Sequence, residues 1–123
     1  MRQVIFLFMA FLLTTGIANA QAVIHTEKAT HDYGEIKEAD GKVEHSFEIE
    51  NKGDQPLVIT RVIPSCGCTT PDWTKEPIAP GKTGSIKITF DPAHRPGPFT
   101  KTISVYSNGK TGSFILTIRG DVK

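Results

Sequence analysis

Val43-Glu44-His45-Ser46-Phe47-Glu48-Ile49-Glu50 alternates without a break. Val43, His45, Phe47 and Ile49 fall on one side, and three glutamates and a serine fall on the other. Successive side chains of an extended chain point to opposite faces, so a period of two marks a strand with one face buried. The pattern then repeats in both directions along the chain. Asn51-Lys52-Gly53-Asp54-Gln55-Pro56 is a turn cluster, with Gly free to take positive φ and Pro closing it. Leu57-Val58-Ile59-Thr60-Arg61-Val62-Ile63 resumes a run too short and too rich in Val, Ile and Thr for a helix.

Beyond the Pro80-Gly81 turn, Ile86-Lys87-Ile88-Thr89-Phe90-Asp91 alternates strictly. Pro92, Pro96, Gly97 and Pro98 then impose a loop in which no helix forms. Phe99 to Ser107 alternates around Ile103 and Val105. Asn108-Gly109 marks a hairpin, because both residues accept the left-handed conformation of tight turns, and Phe114 to Arg119 is the closing strand. No apolar period near 3.6 persists, and the chain has neither an internal repeat nor a low-complexity tract.

About seven short strands with turn signals roughly every ten residues describe an all-β, antiparallel immunoglobulin-like β-sandwich. Its core is expected from Phe47/Ile49, Leu57/Ile59, Ile86/Ile88/Phe90, Ile103/Val105 and Phe114/Leu116/Ile118. Lys87, Lys101 and Arg119, interleaved with apolar residues, fit the need to guard exposed sheet edges.

The chain opens with one positive charge at Arg2, and Val4 to Leu13 follows as ten apolar residues. That is about half the roughly 20 needed to cross a bilayer as a helix. Ala18-Asn19-Ala20 supplies a small-residue exit, so residues 1–20 read as a secretory signal peptide, with one domain over residues 21–123. The expected location is therefore outside the cytoplasm, periplasmic or secreted, with no membrane span after cleavage. Cleavage leaves 13 basic against 13 acidic residues, with no basic cluster, which argues against nucleic acid as a partner.

Catalytic patterns are missing. There is no G-x-S-x-G and no H-E-x-x-H, and Gly81-Lys82-Thr83 lacks both the upstream glycine and the helix of a phosphate loop. Glu44, Glu48 and Glu50 read as the solvated face of one strand. The chain is expected not to be an enzyme and to need no cofactor.

Cys66-Gly67-Cys68 contains the only two cysteines. In an extended strand their Cα atoms would lie about 6.5 to 7 Å apart, at the limit for a disulfide, so a bend at Gly67 is required, for which its tolerance of positive φ is suited. The pair has four readings: a local disulfide, two reduced thiols, a redox dithiol, or a soft-metal site in which two thiolates hold Cu(I). Arg61 is the only cation close to them in sequence. Zinc wants four ligands, and His25, His31, His45 and His94 are scattered. His45 reads as a core residue, His31 as bonding a turn, and His94 as a solvated loop residue. Pro64, Thr69, Pro71 and Trp73 make a candidate contact loop, with Trp73 placed to cover the cysteine turn.

Several phrases together resemble the DUF1573 family: His31-Asp32-Tyr33-Gly34-Glu35-Ile36, Phe47 to Ile59, Ser65-Cys66-Gly67-Cys68-Thr69, Pro80-Gly81 ahead of Phe90-Asp91-Pro92, and Leu116-Thr117-Ile118-Arg119-Gly120. That family is similar in layout to immunoglobulin-like domains of the major sperm protein and ASPM/SPD-2/Hydin type and is frequent in exported bacterial proteins. The resemblance implies the sandwich and implies no activity. The function expected is an exported binding module for another protein or a cell-envelope component. The alternative is copper or thiol handling at Cys66 and Cys68.

Overall fold

The computed structural model describes residues 20–123, so the signal-peptide segment up to Asn19 lies outside it. Eight strands form two four-stranded sheets. They are β1 (Ile24–His25), β2 (Thr30–Ile36), β3 (Val43–Asn51), β4 (Ile59–Pro64), β5 (Thr69–Trp73), β6 (Thr83–Phe90), β7 (Gly97–Ser107) and β8 (Ser113–Val122). One sheet has the order β1-β3-β6-β5 and the other β2-β8-β7-β4. Among the described residues, one 3-10 turn, Glu38–Asp40, is the only helical element. No helix among the described residues is long and apolar enough to cross a membrane.

The inward faces follow the alternation. Phe47, Ile49, Leu57, Ile59, Ile86, Ile88, Phe90, Ile103, Val105, Leu116 and Ile118 are all buried, as the sequence pattern requires, and Phe114 packs half-buried against them. Phe90 stacks on Phe99 across the sandwich, with ring centroids 4.2 Å apart. Ala22, Val62, Cys68, Ile78 and Val122 complete the core.

Three expectations need correction. The sandwich is not wholly antiparallel, because β2 runs parallel to β8 from Thr30↔Thr117 to Ile36↔Val122. Lys87 and Arg119 guard no edge, because they sit on β6 and β8 where those strands are paired on both sides. Lys101, by contrast, does lie on a bare stretch of β7, which β4 meets only from Ile103 to Ser107. Edges depend on which strands meet, and single-strand alternation carries no such information. The β7–β8 hairpin forms, but Asn108 and Gly109 are not left-handed. Gly112 is, at φ 73, and it closes a longer loop. Asn108 instead uses its side chain, accepting the Val58 N–H at 2.8 Å and donating to the Pro56 carbonyl at 3.0 Å.

Candidate functional site

The cysteine turn is where the chain changes sheets. β4 ends at Pro64 on the edge of one sheet, and β5 begins at Thr69 on the edge of the other. Three backbone bonds hold the crossover: Ser65 N–H to the Thr102 carbonyl, Thr69 N–H to the Cys66 carbonyl, and Asp91 N–H to the Cys68 carbonyl. Cys66 and Cys68 are joined as a disulfide, and their Cα atoms are 5.1 Å apart. The bend is made by the Cys66–Thr69 turn without a left-handed glycine, since Gly67 is not among the positive-φ residues. Cys68 is buried, whereas Cys66 is half-buried and its Sγ accepts the Cys68 N–H at 3.1 Å.

Folding also brings basic side chains to this turn that spacing did not reveal. Lys42, His94 and Arg95 line a polar cavity of about 320 Å³ together with Gly67, Cys68, Thr70 and Asp91. His94 holds φ 61, a left-handed conformation rare for a side-chain-bearing residue, and its N–H is held by Glu38 Oε1 at 2.7 Å. Arg61, the cation nearest in sequence, lies over the Tyr106 ring on the outer face of β4 and β7 instead.

The candidate contact loop does not form one patch. Thr69 is buried at the first position of β5, facing inward opposite Phe90, so it offers no exposed contact. Pro64 pairs with Ile103 at the end of β4, and Pro71 sits mid-strand opposite Ile88. Trp73 does not cover the cysteines. It lies at the far end of β5, about 13 Å along the strand from Thr69, with Lys75 Nζ 3.0 Å from its ring centroid.

The two sheets meet at their opposite side through an imidazole pair. His31 on β2 stacks on His45 of β3, centroids 3.6 Å apart and planes within 7°. Tyr33 and Phe47 pack edge-on against the two rings. His31 therefore bonds no turn, and His45 is half-buried at the rim of the core. Burial first, and then the neighbouring His31, lowers the pKa of His45 below its usual range. Burial, then the charge of Glu44, raises the Tyr33 phenol to about 12. A His45 that sheds its proton more readily folded than unfolded makes the unfolded chain bind more protons as pH falls below about 6.5. Stability should thus be full above that pH and decline through pH 6 to 5. In thermal melts, His45→Phe should flatten part of this decline, and identical profiles for both proteins would refute it.

A residue missed by pattern is Asn51, which reads as the start of a turn yet is fully buried. Its Oδ1 accepts from the Val23 and Gly53 N–H groups, and its Nδ2 donates to the Gln55 and Ile78 carbonyls. The turn cluster after it is therefore built around one side chain.

Solved structures share this architecture. A protein of unknown function from Porphyromonas gingivalis is 22% identical, with a TM-score of 0.73 over 88% of this chain and 50% of that one. The VesB protease of Vibrio cholerae gives 0.60 at 20% identity, over 94% and 35% respectively. The seventh PapD-like (ASH) domain of human CEP192 gives 0.64 at 9%, over 89% and 92%. The chain spans about half the length of the first of these and about a third of the second, and at such identities the likeness is one of fold. No curated protein matches. Residues 24–122 match the profile of DUF1573, described as a protein of unknown function, and the chain belongs to that family.

Proposed function

We propose that the chain is an exported, non-enzymatic immunoglobulin-like module that acts by binding another protein or a cell-envelope component. Export rests on the sequence pattern of residues 1–20. The observation that carries the binding role is a row across the outer face of the β2-β8-β7-β4 sheet. Ile63 and Ile115 are 44% and 50% exposed, and both pair with Ser104 on the strand between them, β7. The next row is Arg61, Tyr106 and Ser113. Two large aliphatic side chains about 10 Å apart beside an Arg-covered tyrosine make an apolar centre with a polar surround, the anatomy of a contact surface. The outer face of the other sheet carries charge instead, with Glu44, Glu48, Glu50 and Asp72 around Lys87. Affinity capture from native envelope extract should return a partner with the wild type and lose it with Ile63→Lys/Ile115→Lys. A Cys66→Ser/Cys68→Ser protein tests the crossover turn in the same assay. No reproducible partner would remove the proposal.

A second reading, thiol or Cu(I) handling, is favoured by the only partial burial of Cys66 and by the Lys42, His94 and Arg95 side chains lining the cavity at Cys68. Nearby cations and an N–H donor lower a thiolate pKa. This reading expects the reduced protein to bind stoichiometric Cu(I) or to exchange readily with small dithiols. An inert thiol pair without metal would end it.

A further inference from the structure

We infer that the outer edge of β3 from Val43 to Glu48 takes up an extended strand from a partner protein, one that alternates basic and apolar residues. The surface is separate from the Ile63/Ile115 face. β3 pairs with β6 along Val43 to Glu50, but on its other side β1 covers only Glu50 and Asn51. After His25 the chain leaves for the opposite sheet as β2, so β3 is left bare where a neighbour would continue.

Two hydrogen bonds fix which groups point into that gap. Lys52 N–H bonds the Val23 carbonyl on the β1 side, and the Glu48 carbonyl accepts Thr26 Oγ1 from the same side. Even-numbered residues therefore aim their backbone groups outward. Among the described residues the N–H and C=O of Glu44 and Ser46, and the N–H of Glu48, find no partner. The groove beside them measures about 330 Å³ and runs between His25–Lys28 and His45–Glu50. The other strands at the two ends of the sheets are blunted in recognised ways. β1 has two residues, β2 is bulged around the left-handed Gly34, β4 ends in Pro64, and β5 carries Pro71 at its centre.

Charge selects the occupant. Side chains of an antiparallel strand opposite Glu44, Ser46 and Glu48 would share their outer face. There these glutamates, together with Glu27 and Glu50 beside the groove, outnumber the two lysines, Lys28 in the groove wall and Lys87 opposite Ser46. Intervening side chains would lie beside His45 and Phe47. Basic residues suit the first set and apolar ones the second. A second copy of this chain is disfavoured, because antiparallel self-pairing about Ser46 sets Glu44 against Glu48, and like charges directly opposed destabilise a ladder.

The probe is the capped pentapeptide Lys-Val-Lys-Val-Lys, titrated by calorimetry and by amide exchange. Binding should protect the Ser46 and Glu48 amides and should be about tenfold tighter than that of Glu-Val-Glu-Val-Glu. N-methylation of the lysine amides, which face β3, should abolish binding, and N-methylation of the valine amides should preserve it. Ser46→Pro removes one outward N–H without touching the β6 ladder and should also abolish binding. If that variant fails to fold, the two N-methyl isomers still decide the matter. Equal binding of the isomers, their reverse order, protection elsewhere, a concentration-dependent dimer occupying the edge, or no binding would each overturn the inference. None of these outcomes bears on whether the Ile63/Ile115 face captures a partner.

Discussion

Asn51→Ala should lower the unfolding free energy by about 3 to 5 kcal/mol, because it strands two N–H groups and two carbonyls that the amide now satisfies. Each buried polar group left unpaired costs about 1 to 3 kcal/mol, and partial relaxation keeps the total below the sum. In a domain of this size the melting temperature should fall by about 20 °C. Asn51→Asp should be at least as damaging: its carboxylate keeps the two acceptor contacts but turns a negative charge toward the Gln55 and Ile78 carbonyls. The damage should spread beyond one contact. Backbone bonds from Asn51 N–H to Lys82 and from Gly81 N–H to Asn51 tie in the Pro80-Gly81 turn as well. Urea titration followed by circular dichroism measures this directly, and a midpoint shift equivalent to less than 1 kcal/mol would show that the hub is dispensable.

Gly53→Ala should cost about 3 kcal/mol, the upper end of ordinary overpacking, and should detach the β1 segment. A Cβ there would sit 2.6 Å from the Val23 nitrogen and 2.9 Å from the Ala22 carbonyl carbon, hard against the Gln21 carbonyl oxygen. Backbone atoms cannot rotate aside, and the same residues are tied down by Lys52 N–H to Val23 and Asp54 N–H to Gln21. Gly67→Ala is the matched control. It meets no atom within 4 Å and needs no positive φ, so it should be neutral or stabilise by up to about 1 kcal/mol through the unfolded state. Hydrogen exchange at Lys52 and Asp54 reads the first effect, since those amides lose their partners. Should Gly67→Ala prove the more damaging of the two, close approach of the backbone would not be what requires these glycines.

Legibility varied with the length and cleanness of each strand. β3, β6, β7 and β8 announce themselves because six or more residues in each alternate around large apolar side chains. β2 does not, since Thr30-His31-Asp32-Tyr33-Gly34-Glu35-Ile36 is polar and bulged and only half-buried at the sandwich rim. β5 is five residues with a central proline, a composition tolerated only at an edge. The need for a bend at the cysteines is legible in their spacing, yet the cavity beside them is not. Lys42, His94 and Arg95 lie 24, 28 and 29 residues from Cys66, and reach the turn only because β3 and β5 both pair with β6 at Phe90.

The sequence by itself determined that the chain is a β-sandwich, most of the residues that fill its core, and roughly where its strands are broken, because alternation and turn chemistry are local properties. The tertiary structure alone decided which strand joins which sheet, and so which edges are bare. It also decided that β2 runs parallel to β8, that Asn51 is buried, and that the cysteine turn is the crossover between sheets. Strand hydrogen bonds are made to residues far away in the chain, so a single strand carries its faces but not its neighbours.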